Sequence, residues 1–178
     1  MWLHPFSLDV GNFMKYTPKH TDNIMRAIYG ALTVGSLACM NIGTGLVRTI
    51  LMSLSVIFLA TGMYLFLKHE ITTYSYVIME GEKRLDFYVN KLTGKRGAYV
   101  CYYPMSDALD IVKYEKGTKR EIEQKYGKTF FYRYYHNVFC GEKYVVVFKN
   151  EGYCDAVICQ LEPLSRDYIQ KAISKESK

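Results

Sequence analysis

The residues of this chain that could form a reactive or metal-binding site are histidine and cysteine in its second half. His136 and Cys140 are four residues apart, and a thiol becomes an effective nucleophile only beside a base. Residues at even spacing on a strand share a face without necessarily touching, so this pair alone does not define a nucleophile. With Cys154 and Cys159 the pair could supply zinc ligands, but a zinc site is typically marked by a closer C-x2-C pair. We therefore predict no catalytic residue, no metal and no cofactor.

The chain also lacks the motifs of the common enzyme classes. It has no serine nucleophile motif, no phosphate-binding loop and no carboxylate pair in a recognisable setting. Its net charge of +6 over 178 residues is too small to require nucleic acid, and no RNA-binding motif accompanies it. We expect a protein that is not an enzyme and does not bind nucleic acid.

Two basic pairs are candidates for contact with anionic lipid. Lys83 and Arg84 follow two glutamates that partly cancel their charge, whereas Lys95 and Arg96 have no acidic neighbour. A basic residue near an anionic membrane surface contributes about 1 kcal/mol to attraction. We predict these four residues as a lipid-binding set, with general surface attraction or simple solvation as the alternatives.

Residues 129–137 are unusually aromatic within a chain that holds 17 tyrosines. On a strand, Phe131, Arg133 and Tyr135 would share one face and the intervening aromatic residues the other. Aromatic residues on both faces exceed what one core needs. Because tyrosine and arginine are frequent in interfaces, we predict these three residues as a protein-binding surface. The alternative is that this row packs under a loop or helix.

Two uncharged apolar stretches, residues 27–47 and 49–67, must position the rest of the chain. Each has about the ~20 residues that cross a hydrocarbon core, so we predict a two-helix transmembrane hairpin. Thr21, Asp22 and Asn23 are candidate caps for its first helix. Small residues recur at every fourth position in that helix: Ala27, Ala31, Gly35, Cys39 and Gly43. They would let another helix approach closely. That helix could belong to the same hairpin, to a second copy or to another membrane protein.

Basic residues beside the apolar stretches predict the orientation of the hairpin. Lys15, Lys19 and Arg26 precede the first stretch and Lys68 follows the second, which favours cytoplasmic N- and C-termini, although Arg48 opposes this. The cysteines suit a reducing compartment. We see no removable signal peptide and expect a multi-pass protein of the cell (plasma) membrane.

Seven segments with the composition of strands follow the hairpin, separated by turn residues. They are 71–79, 85–92, 98–105, 108–114, 129–139, 144–149 and 155–161. The next segment, Leu-Glu-Pro-Leu-Ser-Arg-Asp-Tyr-Ile at 161–169, opens a helix whose apolar residues share one face.

Strands closed by one helix resemble the pleckstrin-homology-like (PH-like) domain, and with the hairpin the chain resembles small bacterial membrane proteins that carry such a tail. The resemblance implies an α+β membrane protein with an N-terminal two-helix transmembrane hairpin and a seven-stranded antiparallel PH-like barrel closed by a C-terminal helix. We predict an interfacial or disordered segment at 1–23, the hairpin at 24–68 and a cytoplasmic PH-like domain at 69–178.

These features predict a membrane-anchored, non-enzymatic interaction module that serves as an accessory or regulatory subunit of a membrane protein complex. Its partners would be membrane lipids and another membrane protein, or a second copy bound through the first helix. The alternative is an anionic-lipid-binding PH-like module at the cytoplasmic leaflet.

Overall fold

Two consecutive helices lie between the first strand and the remaining strands. A computed structural model describes residues 13–19, 21–90 and 97–176. Strand β1 (Phe13–Tyr16) is followed by helix α1 (Asn23–Asn41), helix α2 (Gly45–Phe66) and a π-helical turn (Leu67–Ile71). The later elements are β2 (Thr73–Met79), β3 (Arg84–Asn90), β4 (Ala98–Pro104), β5 (Ala108–Lys113), α3 (Thr118–Tyr126), β6 (Thr129–Tyr134), β7 (Tyr144–Asn150), β8 (Tyr153–Cys159) and α4 (Pro163–Glu176).

Helices α1 and α2 pack against each other in antiparallel directions. Gly62 of α2 makes the close approach possible, because a Cβ atom there would lie 3.4 Å from the Cβ of Leu32 and 3.5 Å from the carbonyl oxygen of Tyr29. Ser36 and Ser55 are the fully buried polar residues of the two helices. Small side chains therefore make this contact, as is usual between helices that have no large apolar core of their own.

Of the helices that the structure describes, only one is long and apolar enough to cross a membrane. It is the continuous helical segment Gly45–Ile71, and 11% of its most apolar stretch is buried within the protein. Helix α1 is shorter and includes Arg26, Thr33 and Ser36. The predicted two-helix transmembrane hairpin is therefore wrong, because these polar residues make the first helix less apolar than the second.

Sheet A is an antiparallel meander with the order β1-β2-β3-β4. A four-residue turn joins β2 to β3, and within it Lys83 has a φ of 46° in the left-handed region. Tyr76 and Ile78 of β2 and Leu85 and Phe87 of β3 are buried against the second sheet. Strand β1 lies within the segment assigned to the N-terminal region by the sequence, and it pairs with β2 along its whole length.

Sheet B has the order β5-β7-β8-β6, in which β6 and β8 are parallel. One face packs against sheet A, and the other is covered by α3 through Ile122. Because both faces are covered, β7 and β8 carry almost continuous runs of buried residues instead of alternating polar and apolar ones.

Helix α4 closes one end of the space between the sheets. Ile169 is fully buried in the core that the two sheets share, together with Leu161 and Met105. The C-terminal helix predicted from the 161–169 pattern is present at this position.

The described strands form two separate four-stranded sheets and no closed barrel, so the predicted seven-stranded antiparallel PH-like barrel is wrong. Each of the seven predicted strands has a counterpart, but their pairing differs. Residues 135–143 leave sheet B after β6, and two of them bind Asp22, the N-cap of α1, so β6 and β7 do not form a hairpin. Strand β8 lies between them and runs parallel to β6.

Candidate functional site

The start of α1 is joined to the loop after β6 by a buried carboxylate. Asp22 is fully buried, and its Oδ1 accepts a hydrogen bond from the backbone N–H of Met25 at 3.2 Å, which caps the helix. Its Oδ2 accepts two more, from the N–H groups of Val138 and Phe139, both at 2.7 Å. One side chain therefore caps the helix and orders the loop, and charge-assisted bonds of this length are strong.

Asn137 makes a second connection between the same segments. Its side-chain N–H groups donate to the carbonyl oxygen of Lys19 at 2.8 Å and to Oε1 of Gln160 at 3.3 Å, and its Oδ1 accepts from the N–H of Thr21 at 3.0 Å. Gly141, with a φ of +78°, lies against the Gln160 amide, which a Cβ atom there would displace. The loop is thus held by contacts with the residues that precede α1 and with Gln160, which follows β8.

The end of α2 completes this junction. Glu70 accepts hydrogen bonds from Arg26 at 2.7 and 3.3 Å and from the Tyr29 hydroxyl at 3.0 Å. His69 Nδ1 lies 3.3 Å from the carbonyl oxygen of His136. We call the contacts of Asp22, Asn137, His69 and Glu70 the helix–sheet junction. They hold the candidate membrane helix in a defined orientation relative to the sheets.

An open groove of about 610 Å³ lies next to this junction. It is lined by residues of both charges, and Lys113 forms ion pairs with Glu142 at 2.9 Å and with Glu115 at 3.8 Å. Burial lowers the pKa of Lys143, whose ammonium lies 5.3 Å from the centre of the Tyr135 ring. Because both glutamates of the lining pair with Lys113, and Lys116 and Lys143 add two further positive charges, the groove is weakly basic.

The predicted protein-binding residues do not form one exposed surface. Phe131 packs under α3, with the Lys119 ammonium 4.9 Å from its ring centre, and Tyr135 is half-buried beside the open groove. Arg133 is exposed. Their role in binding stays a prediction. The exposed rings of β6 are those of Phe130 and Tyr132, which lie on its other face and were not among the predicted binding residues.

The first predicted lipid-binding pair is partly neutralised. Arg84 forms ion pairs with Glu82 and, at 3.0 Å from Nε, with Asp86, and its guanidinium lies 5.6 Å from the centre of the Tyr102 ring. Burial raises the pKa of Asp86 in spite of the Arg84 charge. The flanking glutamate thus cancels the Arg84 charge, as its position in the sequence indicated. Lys95 and Arg96 lie outside the described residues.

Lys83 instead belongs to a basic groove between the β2–β3 turn and α4. The groove has a volume of about 240 Å³, and the polar residues that line it are Tyr168 and three lysines, Lys83, Lys171 and Lys175. The two helical lysines were not selected from the sequence, because they are distant along the chain and become neighbours of Lys83 only through the packing of α4.

The basic groove lies far from the end of the candidate membrane helix. Strand β2 begins at Thr73, directly after that helix, and its seven residues extend about 20 Å before the turn that holds Lys83. Asn90 and Ala98, on either side of the undescribed segment with the second basic pair, lie instead at the end of sheet A next to Thr73.

The small residues of the predicted helix-packing stripe have different surroundings. Ala27 and Ala31 are exposed, Cys39 is half-buried, and a Cβ atom on Gly35 would lie 4.0 Å from Phe58 of α2. Gly43 follows the end of α1 and has a φ of +90°. Their role in helix packing stays a prediction, and the close contact at Gly62 was not found from the sequence.

The cysteines considered as metal ligands are separated by sheet B. Cys154 belongs to the cluster under α3, whereas Cys159 lies in the core between the sheets, where burial strongly raises the pKa of its thiol. Within the described ranges no three histidine, cysteine or acidic side chains are grouped so that they could hold an ion. The alternative zinc site that uses both cysteines is thus geometrically excluded.

Together, the fold and these surfaces define the class: an α+β protein with two packed four-stranded sheets and one helix long and apolar enough to cross a membrane. No model of a known protein family matches the chain, and no curated protein matches it either.

Proposed function

We propose that this protein is a membrane-anchored, non-enzymatic interaction module that serves as an accessory or regulatory subunit of a membrane protein complex. The observation that carries the proposal is the exposed apolar surface of α2. Leu46, Val56 and Met63, spread over the length of the helix, are 79%, 62% and 61% exposed. Such a surface requires lipid or another apolar helix as its environment.

We further propose that the sheets face the cytoplasm at the cell membrane. Lys68 lies at the sheet end of the candidate membrane helix Gly45–Ile71 and Arg26 contacts Glu70 there, whereas residues 42–44 before its other end carry no charge. This distribution follows the positive-inside rule, which Arg48 alone opposes. The free thiols of the described cysteines suit the same compartment.

We propose α1 as the contact for a partner helix. Ala27 and Ala31 are exposed, and a Cβ atom on Gly30 would have nothing within 4 Å. This part of α1 therefore offers a flat surface that a second helix, from another membrane protein or a second copy, can approach closely. The contact of α1 with α2 uses other residues, so the two contacts do not compete.

The test is extraction of the tagged protein from its native membrane in mild detergent, followed by mass spectrometry of the proteins that co-purify in stoichiometric amounts. We expect a defined companion or a second copy. Ala31→Leu should abolish its recovery, because the larger side chain separates the helices. The matched control is Ala60→Leu, the same change at an exposed residue of α2, away from the proposed contact. Recovery of the protein alone, or equal recovery with both variants, would contradict the proposal.

A second candidate function is the binding of an anionic group in the basic groove. Lys83, Lys171 and Lys175 all line it. Because the groove lies about 20 Å along β2 from the membrane helix, a soluble phosphate-bearing ligand fits it better than the headgroups of the anchoring membrane.

This second candidate is tested by titrating the full-length protein with inositol hexakisphosphate. Changing the three groove lysines to glutamine should weaken binding by about 10-fold or more, whereas the same change at exposed Lys15, Lys116 and Lys149 should have little effect. If both triple variants lose affinity equally, binding depends on general charge and the groove is not a site. Pelleting with phosphatidylserine vesicles should not depend on the groove lysines, and a dependence would favour the lipid instead.

A further inference from the structure

Asp155 of β8 is a buried acid that the described part of the protein neutralises only in part. It is 6% exposed. Its Oδ2 accepts one hydrogen bond, from Nδ2 of Asn150 at 3.3 Å, and its Oδ1 has no hydrogen-bond partner. None of the ion pairs among the described residues includes it. Burying a carboxylate in this way is unfavourable, and the cost decreases when a cation approaches.

The surroundings of Asp155 are aromatic. Its direct neighbours across the sheet are Phe130 of β6 and Phe148 of β7, and the ring of Tyr153 lies edge-on to Phe130 at a centroid distance of 5.1 Å. Tyr103 of β4 faces the same region, where burial and the nearby Asp155 charge raise the pKa of its hydroxyl. Ring faces and a carboxylate together attract a cation more strongly than either alone.

This acid lies at the open edge of the sandwich. Strand β6 is an edge strand of sheet B, and its rings Phe130 and Tyr132 are 44% and 38% exposed. The Lys128 ammonium already lies over the Phe130 ring, 5.5 Å from its centre, which shows that a cation can approach this rim. Asp155 lies directly behind these exposed rings, so a ligand the size of one side chain reaches its carboxylate from the edge of β6 when the Phe130 or Tyr132 ring moves aside.

We propose that Asp155 and the aromatic rim formed by Phe130, Tyr132 and Tyr153 bind an organic cation, an alkylammonium or guanidinium group. A calcium or magnesium ion does not fit, because these ions require several oxygen ligands and the described structure groups no three candidate ligands. The cation has two possible sources, the basic side chain of a partner protein or a free amine. The site does not depend on the membrane helix, so it stands or fails separately from the proposed membrane function.

The test is a ligand-observed NMR titration of the full-length protein in detergent micelles. The probes are Nα-acetyl-arginine methylamide, the uncharged citrulline analogue and tetramethylammonium. We expect binding of the arginine probe and none of the citrulline analogue. Tetramethylammonium tests the second source, and tighter binding of it than of the arginine probe would identify a free quaternary amine as the ligand.

Matched variants separate the site from general charge. Asp155→Asn keeps the size of the side chain and its contact with Asn150, and it should weaken binding of the cationic probe at least about 10-fold, a change equivalent to ~1.4 kcal/mol. Asp167→Asn, an exposed acid on α4, should leave binding unchanged. Tyr132→Leu keeps the carboxylate and removes one ring, so it should weaken binding by about 3- to 5-fold. Equal binding by the wild type and Asp155→Asn, or no binding of either cationic probe by the wild type, would overturn the proposal.

Discussion

The helix pair and the two sheets use the same apolar residue types in opposite environments. Leu46 and Ile57 of α2 are 79% and 57% exposed, whereas Val145, Val146 and Val157 of sheet B are fully buried. The sheets bury their apolar residues against each other and against α3 and α4. The helices pack mainly on each other and contact the sheet region at the helix–sheet junction, and one surface of α2 stays exposed. Apolar residues therefore form a buried core in the sheet region and an exposed surface on α2.

The difference shows where stability comes from in each region. The sheet region has a hydrophobic core of its own, and burial of that core stabilises it. The helix pair is held by close contact at Gly62, by buried Ser36 and Ser55 and by the helix–sheet junction. Its stability therefore depends on these few contacts and not on a large apolar core.

The strongest contrast is expected from truncating one large apolar residue in each region. Phe87 is fully buried, and its ring contacts those of Tyr76, Tyr103 and Tyr134. Phe87→Ala should lower the free energy of unfolding of the sheets by about 3–5 kcal/mol, since it leaves a cavity. Ile57→Ala, on the exposed surface of α2, should change it by less than about 0.5 kcal/mol. Urea unfolding followed by the near-ultraviolet circular dichroism of tyrosine measures both, and equal shifts would refute the distinction between the regions.

Removing the junction carboxylate should uncouple the two regions. Asp22→Ala removes the cap of α1 and leaves two backbone N–H groups, at Val138 and Phe139, without their acceptor. The expected cost is about 3 kcal/mol, concentrated in the loop and the first turn of α1. Hydrogen exchange should accelerate at residues 23–26 and 136–141 and stay slow in β7 and β8. Asp167→Ala is the control, and uniform acceleration over the whole chain would argue against a local junction.

The contact between the helices can be tested by adding volume at two glycines. At Gly62 a Cβ atom would already lie 3.4 Å from Leu32, whereas at Gly30 nothing lies within 4 Å. Gly62→Leu should therefore destabilise the helix pair by about 2 kcal/mol, and Gly30→Leu should have little effect on it. Thermal unfolding of the helical circular dichroism signal in detergent compares them. If Gly30→Leu were the more destabilising variant, α1 would pack through its other face.

The smallest expected effect is a pH dependence within the sheet region. Burial acts to raise the pKa of Asp110, but hydrogen bonds from Lys125 at 2.7 Å and Tyr126 at 2.8 Å outweigh it, so the pKa is lower than usual. Because the folded pKa lies below the unfolded one, the ionised acid stabilises the fold above about pH 4. This contribution is lost as the pH falls through the folded pKa.

Asp110→Asn should accordingly lower stability by about 0.5–1 kcal/mol at pH 7, since the pair is partly exposed, and the difference from the wild type should be smaller at about pH 2, where more of the acid is protonated. Urea unfolding at both pH values measures this. A cost that is the same at both values would mean that the side chain acts through its shape and not its charge.

Local sequence patterns predicted most helices and strands, because the formation of each depends mainly on residues that are close together along the chain. Strands β7 and β8 follow from runs of β-branched residues bounded by glycine, and α4 follows from an apolar face that begins after Pro163. The capping role of Asp22 was also predicted and is confirmed. Strand β1 was missed because four residues carry too little pattern to identify a strand.

The pairing of those elements was not predictable in the same way. Seven strands in sequence are compatible with a barrel or with two sheets, and the choice depends on where the segment between β6 and β7 lies. The position of that segment is set by its hydrogen bonds to the Asp22 carboxylate, which is more than 100 residues away along the chain. Contacts of such separation leave no periodic trace in the sequence.

The sequence by itself determined the most apolar helix, most of the strands, the closing helix and the excess of aromatic residues at 129–137. Each follows from side-chain size, polarity and spacing within about twenty residues. Only the tertiary structure decided that β8 separates β6 from β7, that α4 brings Lys171 and Lys175 to Lys83, and that Asp155 lies among rings from three strands. These arrangements depend on how separate elements pack, and packing is a property of surfaces that a linear pattern does not encode.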